Sequence, residues 1–204
     1  MTKSLINDLY EQKIFPIIRN NNQKRTTEIA QAYIEGGVDI IEINIDSIDM
    51  YKAIEEVSRF ATVCAGGIIT TIQAQTAINA GAKILSSPIM SMNLIKFLKA
   101  KKIPLIVGAS TANEAYEAWK ARVELIKLYP INAMGGAKYV ENLLRPMSFL
   151  NIMPQGDVKS EEVISYLNAG AKVVGIGRDF YENNSLSEIT IKIKNTLERV
   201  KNDR

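Results

Sequence analysis

Apolar runs recur along this chain, each entered through a polar residue and each separated from the next by a helix-length segment. The pattern is plainest in AYIEGGVDIIEIN (32–44), TAINAGAKILSSP (76–88) and SYLNAGAKVVGIG (165–177), with a looser copy in AYEAWKARVELIKLYP (115–130). The tetrapeptide AGAK occurs at 80–83 and again at 169–172. The three plain copies each predict a helix closed by Gly near its C-cap, with a strand starting a residue or two later. Four more runs, at 14–19, 61–66, 103–110 and 149–156, bring the candidate strands to eight. Strands alternating with helices require parallel crossovers, and near-continuous apolar strands belong in sheets covered on both faces. Eight such units predict a single α/β domain over 1–204, a closed (β/α)8 TIM barrel with extra helices at 1–12 and 182–204. The alternative is an open doubly wound sheet. No G-x-G-x-x-G follows the first strand, which weighs against a dinucleotide-binding version.

Composition narrows the chemistry. The chain has 47% hydrophobic and 23% charged residues and a formal net charge of +3, with no basic block or basic–aromatic stripe, so no nucleic-acid partner is expected. No stretch is apolar for long enough to span a bilayer, and no signal-peptide core opens the chain. With Cys64 as the single cysteine, the expectation is a cytoplasmic protein. Histidine is absent, which removes Ser-His-Asp and Cys-His triads and the usual zinc and iron ligands. Without a carboxylate cluster either, no metal site is expected.

In a barrel, side chains at the carboxyl ends of strands build the active site. Arg19, Glu42 and Lys127 occupy such ends in strands one, two and six. Alternation puts Val123, Leu125 and Lys127 on one face, and the first two suit a barrel interior. An ammonium group there is partly desolvated, which enlarges the share of free amine available as a nucleophile. The competing reading has Lys127 facing outward and snorkelling between helices, as expected of Lys83 and Lys172 at strand starts. Glu42, a carboxylate within an apolar run, suits general acid–base work; otherwise it pairs with a cation such as Arg19. Two glycine-containing turns, 154–160 and 175–180, end strands seven and eight, where barrels often bind phosphate through backbone N–H groups. Gly156, Gly177 and Arg178 are the candidates, against a reading of the glycines as turn geometry alone.

Taken together, these residues resemble the 2-keto-3-deoxy-6-phosphogluconate (KDPG) and 4-hydroxy-2-oxoglutarate (KHG) aldolase family. The matching segments are P-I-I-R (16–19), G-G-V-D-I-I-E-I (36–43), A-G-G-I-I (65–69), S-S-P (86–88), G-A-S-T (108–111), K-L-Y-P (127–130), G-G (135–136) and G-I-G-R-D-F-Y (175–181). The resemblance implies a class I lyase without metal or cofactor, acting on a small keto-acid substrate and assembled as a homo-oligomer, a trimer. It implies Lys127 as the Schiff-base lysine, Glu42 as the general acid/base, and Arg19, Pro88, Ser110 and Thr111 as pocket residues. Four departures stand out. Gly67 replaces a Thr whose hydroxyl is expected near the substrate carboxylate. Asp46 stands where gluconate-type members carry Arg, which places the chain nearer the phosphogalactonate branch. Asp157 replaces a Gly and Arg178 a Ser, the first disfavouring phosphate and the second favouring it. The rival functions are a sugar-phosphate isomerase or decarboxylase and a non-catalytic barrel that binds a sugar acid.

Overall fold

A computed structural model of the protein describes residues 4–203. The N-terminal helix expected over 1–12 runs Leu5–Gln12 (α1), and positions 1–3 and 204 lie outside the described residues. Eight strand–helix units then follow in order. They are β1 (Ile14–Ile18) with α2 (Gln23–Glu35), β2 (Ile40–Asn44) with α3 (Asp49–Val57), β3 (Thr62–Gly66) with α4 (Thr71–Asn79), and β4 (Ile84–Ser87) with α5 (Met92–Ala100). Next come β5 (Leu105–Ala109) with α6 (Ala112–Lys120), β6 (Leu125–Leu128) with α7 (Ile131–Met134) and α8 (Gly136–Leu144), and β7 (Ile152–Pro154) with α9 (Val163–Asn168). The last unit is β8 (Val174–Ile176) with α10 (Arg178–Tyr181), and α11 (Leu186–Asn202) is the expected C-terminal helix.

All neighbouring strands pair in parallel, in the order β7-β6-β5-β4-β3-β2-β1-β8. The Lys172 N–H donates to the Ile152 carbonyl at 2.9 Å, joining the β7 and β8 ends and closing the barrel. The open-sheet alternative is thereby excluded.

The repeated sequence has one structural cause. Gly37, Gly81 and Gly170 each take a left-handed conformation just past a helix (φ 103°, 104° and 100°). Each then donates to the carbonyl three residues back, while the next residue reaches five back, as Val38 does to Tyr33 and Ala82 to Ala77. This pair of bonds closes the helix and aims the chain back into the sheet. Lys102 and Arg122 occupy the same place in two further units with φ 57° and 60°, and Val123 and Ile103 make the same five-back bonds. The looser copy thus keeps the geometry without the glycine. Val123 belongs to this turn and packs on the outer core, not in the barrel interior.

Two apolar cores result. The larger lies between the strands and the helices. The smaller fills the barrel with Phe15, Ile17, Ile40, Cys64, Ile84, Ile106, Leu125, Met153 and Val173, and Ile6 and Leu9 of α1 plug its amino-terminal mouth. Stacked layers of inward side chains from alternate strands are the expected filling of an eight-stranded barrel. Lys83 and Lys172 are exposed at strand starts, as their positions implied.

Candidate active site

Ile40, Ile84, Leu125 and Val173 of the inner core belong to the even-numbered strands or their immediate approach. Two residues further on, strand alternation brings Glu42, Ser86, Lys127 and Gly175 to the same interior. At this level the barrel exchanges branched apolar side chains for a carboxylate, a hydroxyl, an ammonium and an empty position. Glu42 and Ser86 are fully buried and Lys127 is 4% exposed. Lys127 Nζ donates to Ser86 Oγ at 2.9 Å. Lys127 therefore points inward, and the outward reading is excluded.

Glu42 Oε2 lies 4.0 Å from Cys64 Sγ, and Oε1 has no hydrogen-bond partner among the described residues. Burial, reinforced by the Glu42 charge and opposed by Lys127, pushes the Cys64 thiol well above its ordinary range. The thiol therefore keeps its proton and can only donate weakly toward the carboxylate. The glycine at position 66 makes room for this arrangement. A Cβ there would collide with Asn44 Oδ1 and Glu42 Oε1 and stand 2.7 Å from the Glu42 carboxyl carbon. Gly108, the register partner of Lys127 on β5, makes room instead for the loop after β4, since a Cβ there would collide with the Pro88 carbonyl.

The alternative pairing of Glu42 with Arg19 does not form. Arg19, which follows β1, is held by Asp46 through Nε–Oδ2 at 2.9 Å and Nη2–Oδ1 at 3.2 Å. Two parallel bonds to a carboxylate in the next loop satisfy the guanidinium fork better than a single buried oxygen could. Asp46, which stood out in the sequence only as a departure, thus fixes Arg19 at the cavity rim.

A cavity of about 700 Å³ opens at the carboxyl ends of the strands. Arg19, Asn44, Tyr129, Gln155, Gly156, Gly177 and Arg178 are among its lining residues. Asn44 lies two residues beyond Glu42 and Tyr129 two beyond Lys127, so the buried carboxylate and amine sit one layer beneath the cavity. Gln155 Oε1 is buried without a partner among the described residues, leaving an acceptor for a ligand donor. Gly156 has φ 114°, and a Cβ would come within 2.9 Å of Pro130 Cα, so its backbone passes close under that loop. Arg178 Nη2 meets Asp157 Oδ1 at 2.8 Å, both side chains being exposed. The two departures with opposite implications for phosphate are therefore one ion pair.

The remaining candidates sit on the loops after β3, β4 and β5. Gly67 adopts φ 79°, and its nearest neighbour for a Cβ, Asn44 Oδ1, is 3.8 Å away. The space would accept a side chain, but the left-handed backbone strains a β-branched one. Pro88 is exposed. Ser110 Oγ donates to the Tyr129 carbonyl at 2.7 Å, linking the β5 and β6 loops. Thr111 forms a capping box with Glu114 at the start of α6, so its hydroxyl serves the helix end. Sequence reasoning missed Ser86, Asn44 and Gln155 as site residues. The available signal was alternation, which places Ser86 and Asn44 on the same face as Ile84 and Glu42.

No group of three Cys, Asp or Glu side chains that could hold a metal occurs among the described residues. No helix among them is long and apolar enough to cross a membrane. A solved structure, the 2-keto-3-deoxy-6-phosphogluconate aldolase of Zymomonas mobilis, superposes with a TM-score of 0.85 at 20% identity, covering 94% of this chain and 95% of that one. The KDPG aldolase of Legionella pneumophila, solved with pyruvate captured as a covalent carbinolamine, superposes with a TM-score of 0.82 at 23% identity over 90% and 93% of the two chains. A 2-dehydro-3-deoxy-phosphogluconate aldolase of Haemophilus influenzae is 24% identical over 209 residues, 98% of each chain. The family model for KDPG and KHG aldolase matches residues 5–195, and the chain belongs to that family.

Proposed function

We propose that this chain is a class I aldolase that cleaves a 2-keto-3-deoxy sugar acid, 6-phosphorylated, to pyruvate and an aldehyde. The observation that carries the reading is the position of Lys127 Nζ, buried inside the barrel in one polar layer with Glu42, just beneath an open cavity. The free amine attacks the C2 carbonyl, and the resulting carbinolamine loses water to leave a protonated imine. Glu42 takes the proton of the C4 hydroxyl, the C3–C4 bond breaks, and its electron pair passes into the imine to give an enamine and the free aldehyde. The carboxyl group returns that proton to C3, and water releases pyruvate and regenerates the amine. The unpartnered Oε1 of Glu42 is the acceptor this shuttle needs.

Above this layer, Arg19 and Asn44 are suited to the substrate's polar atoms. Gly156, Gly177 and Arg178 form the phosphate end, while Gly67, Pro88, Ser110 and Thr111, on the loops after β3, β4 and β5, lie outside the cavity lining and would meet the substrate only at the far rim. A second reading is favoured by one observation: Asp46 and Asp157 already neutralise Arg19 and Arg178, which suits an unphosphorylated keto acid such as 4-hydroxy-2-oxoglutarate. Pyruvate release from the phosphorylated gluconate and galactonate acids and from 4-hydroxy-2-oxoglutarate, coupled to lactate dehydrogenase, decides between them. Turnover of a phosphorylated acid is expected, turnover of the unphosphorylated acid alone selects the second reading, and release from none refutes both.

We read the assembly as a homo-oligomer, a trimer. Exposed Ile48, Ile69, Ile72, Ile89 and Met92 follow the adjacent strands β2, β3 and β4, and sedimentation of the purified protein tests this. A cytoplasmic location fits the single reduced, buried Cys64, and fractionation of the source cells tests it.

A further inference from the structure

The polar layer contains one side chain that the reaction above leaves without a task. Ser86 is fully buried on β4, and its Oγ lies 2.9 Å from Lys127 Nζ on β6, reaching across the interior over the intervening strand β5. Its neighbour Ser87 is engaged differently, accepting from the Ile89 N–H at 3.3 Å in the turn that ends the strand. The two serines therefore have separate roles, and only Ser86 meets the amine.

A hydroxyl at this point has a consequence for the protonated imine. Of the ammonium's three hydrogens, one remains on nitrogen after carbinolamine dehydration, and it lies in the plane of the C=N bond. An acceptor on one side of Nζ fixes the direction of that N–H and hence the plane of the imine and of the derived enamine. Protons enter and leave C3 perpendicular to that plane, so its orientation decides how well C3 faces Glu42.

We propose that Ser86 is a positioning residue of the Schiff-base chemistry, holding the imine N–H so that one face of the enamine is presented to Glu42. The proposal rests on Lys127 being the Schiff-base lysine. Ser86 accepts a hydrogen bond throughout and transfers no proton, so the proton balance between C4, Glu42 and C3 is unchanged.

The test combines borohydride trapping with hydrogen exchange in deuterium oxide, using pyruvate for the rate and 2-oxobutanoate, whose C3 hydrogens are distinguishable, for the face. The wild-type protein is expected to trap both acids at Lys127 and to exchange one C3 hydrogen of 2-oxobutanoate about 10-fold faster than the other. In Ser86→Ala, trapping at Lys127 should persist while pyruvate exchange falls about 10-fold, the scale of a misoriented reacting pair, and the face preference disappears. Ser86→Thr, which keeps the acceptor, should retain the preference. Should Ser86→Ala fail to fold by circular dichroism, Ser86→Cys offers a weak acceptor of similar size, and a reduced preference is expected. A folded Ala or Cys variant with wild-type rate and preference overturns the proposal, as does a wild-type protein that traps at Lys127 without any face preference. Absence of a trapped adduct at Lys127 in the wild type instead overturns the reading of the lysine, and this proposal with it.

Discussion

Gly66 offers a way to move the proposed proton shuttle without altering a reacting group. In Gly66→Ala the new Cβ would stand 2.7 Å from the Glu42 carboxyl carbon, whereas ordinary van der Waals contact begins at 3.4 Å, so that carbon must retreat by about 0.7 Å. Glu42 Oε1 and Asn44 Oδ1 lie closer still and must move further. Glu42 is fully buried between β1 and β3, so the carboxylate cannot simply swing into solvent. A misplacement of this size costs on the order of 10²-fold when it separates reacting groups. The overpacking should also lower stability by about 1–3 kcal/mol. Exchange of the pyruvate methyl hydrogens, followed by NMR in deuterium oxide, isolates the proton transfer because it needs no aldehyde. The expected result is an exchange rate about 10²-fold lower, with borohydride still trapping pyruvate at Lys127. Adding Glu42→Asp, which shortens the side chain by one methylene, should recover part of the loss, a non-additivity expected of two residues in direct conflict. A folded Gly66→Ala protein that exchanges at the wild-type rate would refute the placement of Glu42 as the shuttle.

Three further outcomes follow from the same geometry. Glu42→Gln preserves volume but cannot carry a proton, so exchange should fall by roughly 10² or more while thermal denaturation shows a folded protein; normal exchange with a much lower Tm would make Glu42 a structural residue only. Asp157→Ala frees Arg178 from its 2.8 Å ion pair and should lower KM for a phosphorylated substrate several-fold, leaving KM for an unphosphorylated one unchanged, as measured by pyruvate release. Arg122→Gly relieves a left-handed arginine (φ 60°) on an exposed turn and should stabilise the fold by about 0.5–1 kcal/mol, read as a Tm rise of a few degrees.

Much of this architecture is legible in the sequence because it repeats. The Gly at the end of three helical segments and the apolar run after it encode one turn, and Gly37, Gly81 and Gly170 all adopt the same conformation. Arg122 and Lys102 show the limit of that signal, since the units around them impose the turn on residues that do not advertise it. Lys127 and Glu42 could be assigned to the interior by strand alternation and by their positions at strand ends. Alternation also puts Ser86 on the inner face, but it does not reveal the role of that side chain, which lies in a partner 41 residues away on a strand that is not its neighbour. The alternative pairing of Glu42 with Arg19 fails for a related reason. Glu42 and Arg19 share one mouth of the barrel, but Asp46, four residues beyond Glu42, reaches the guanidinium with both carboxylate oxygens. Asp157 and Arg178, read as opposing departures, neutralise each other because the β7 and β8 loops are adjacent at the closure of the barrel.

The most direct measurement is borohydride reduction in the presence of pyruvate, followed by intact mass and peptide mapping of the wild-type and Lys127→Ala proteins. A single reduced pyruvate adduct at Lys127, absent from Lys127→Ala together with a loss of cleavage by several orders of magnitude, is the expected result. An adduct on another lysine, or none with cleavage intact, would contradict the assignment of Lys127 as the Schiff-base residue.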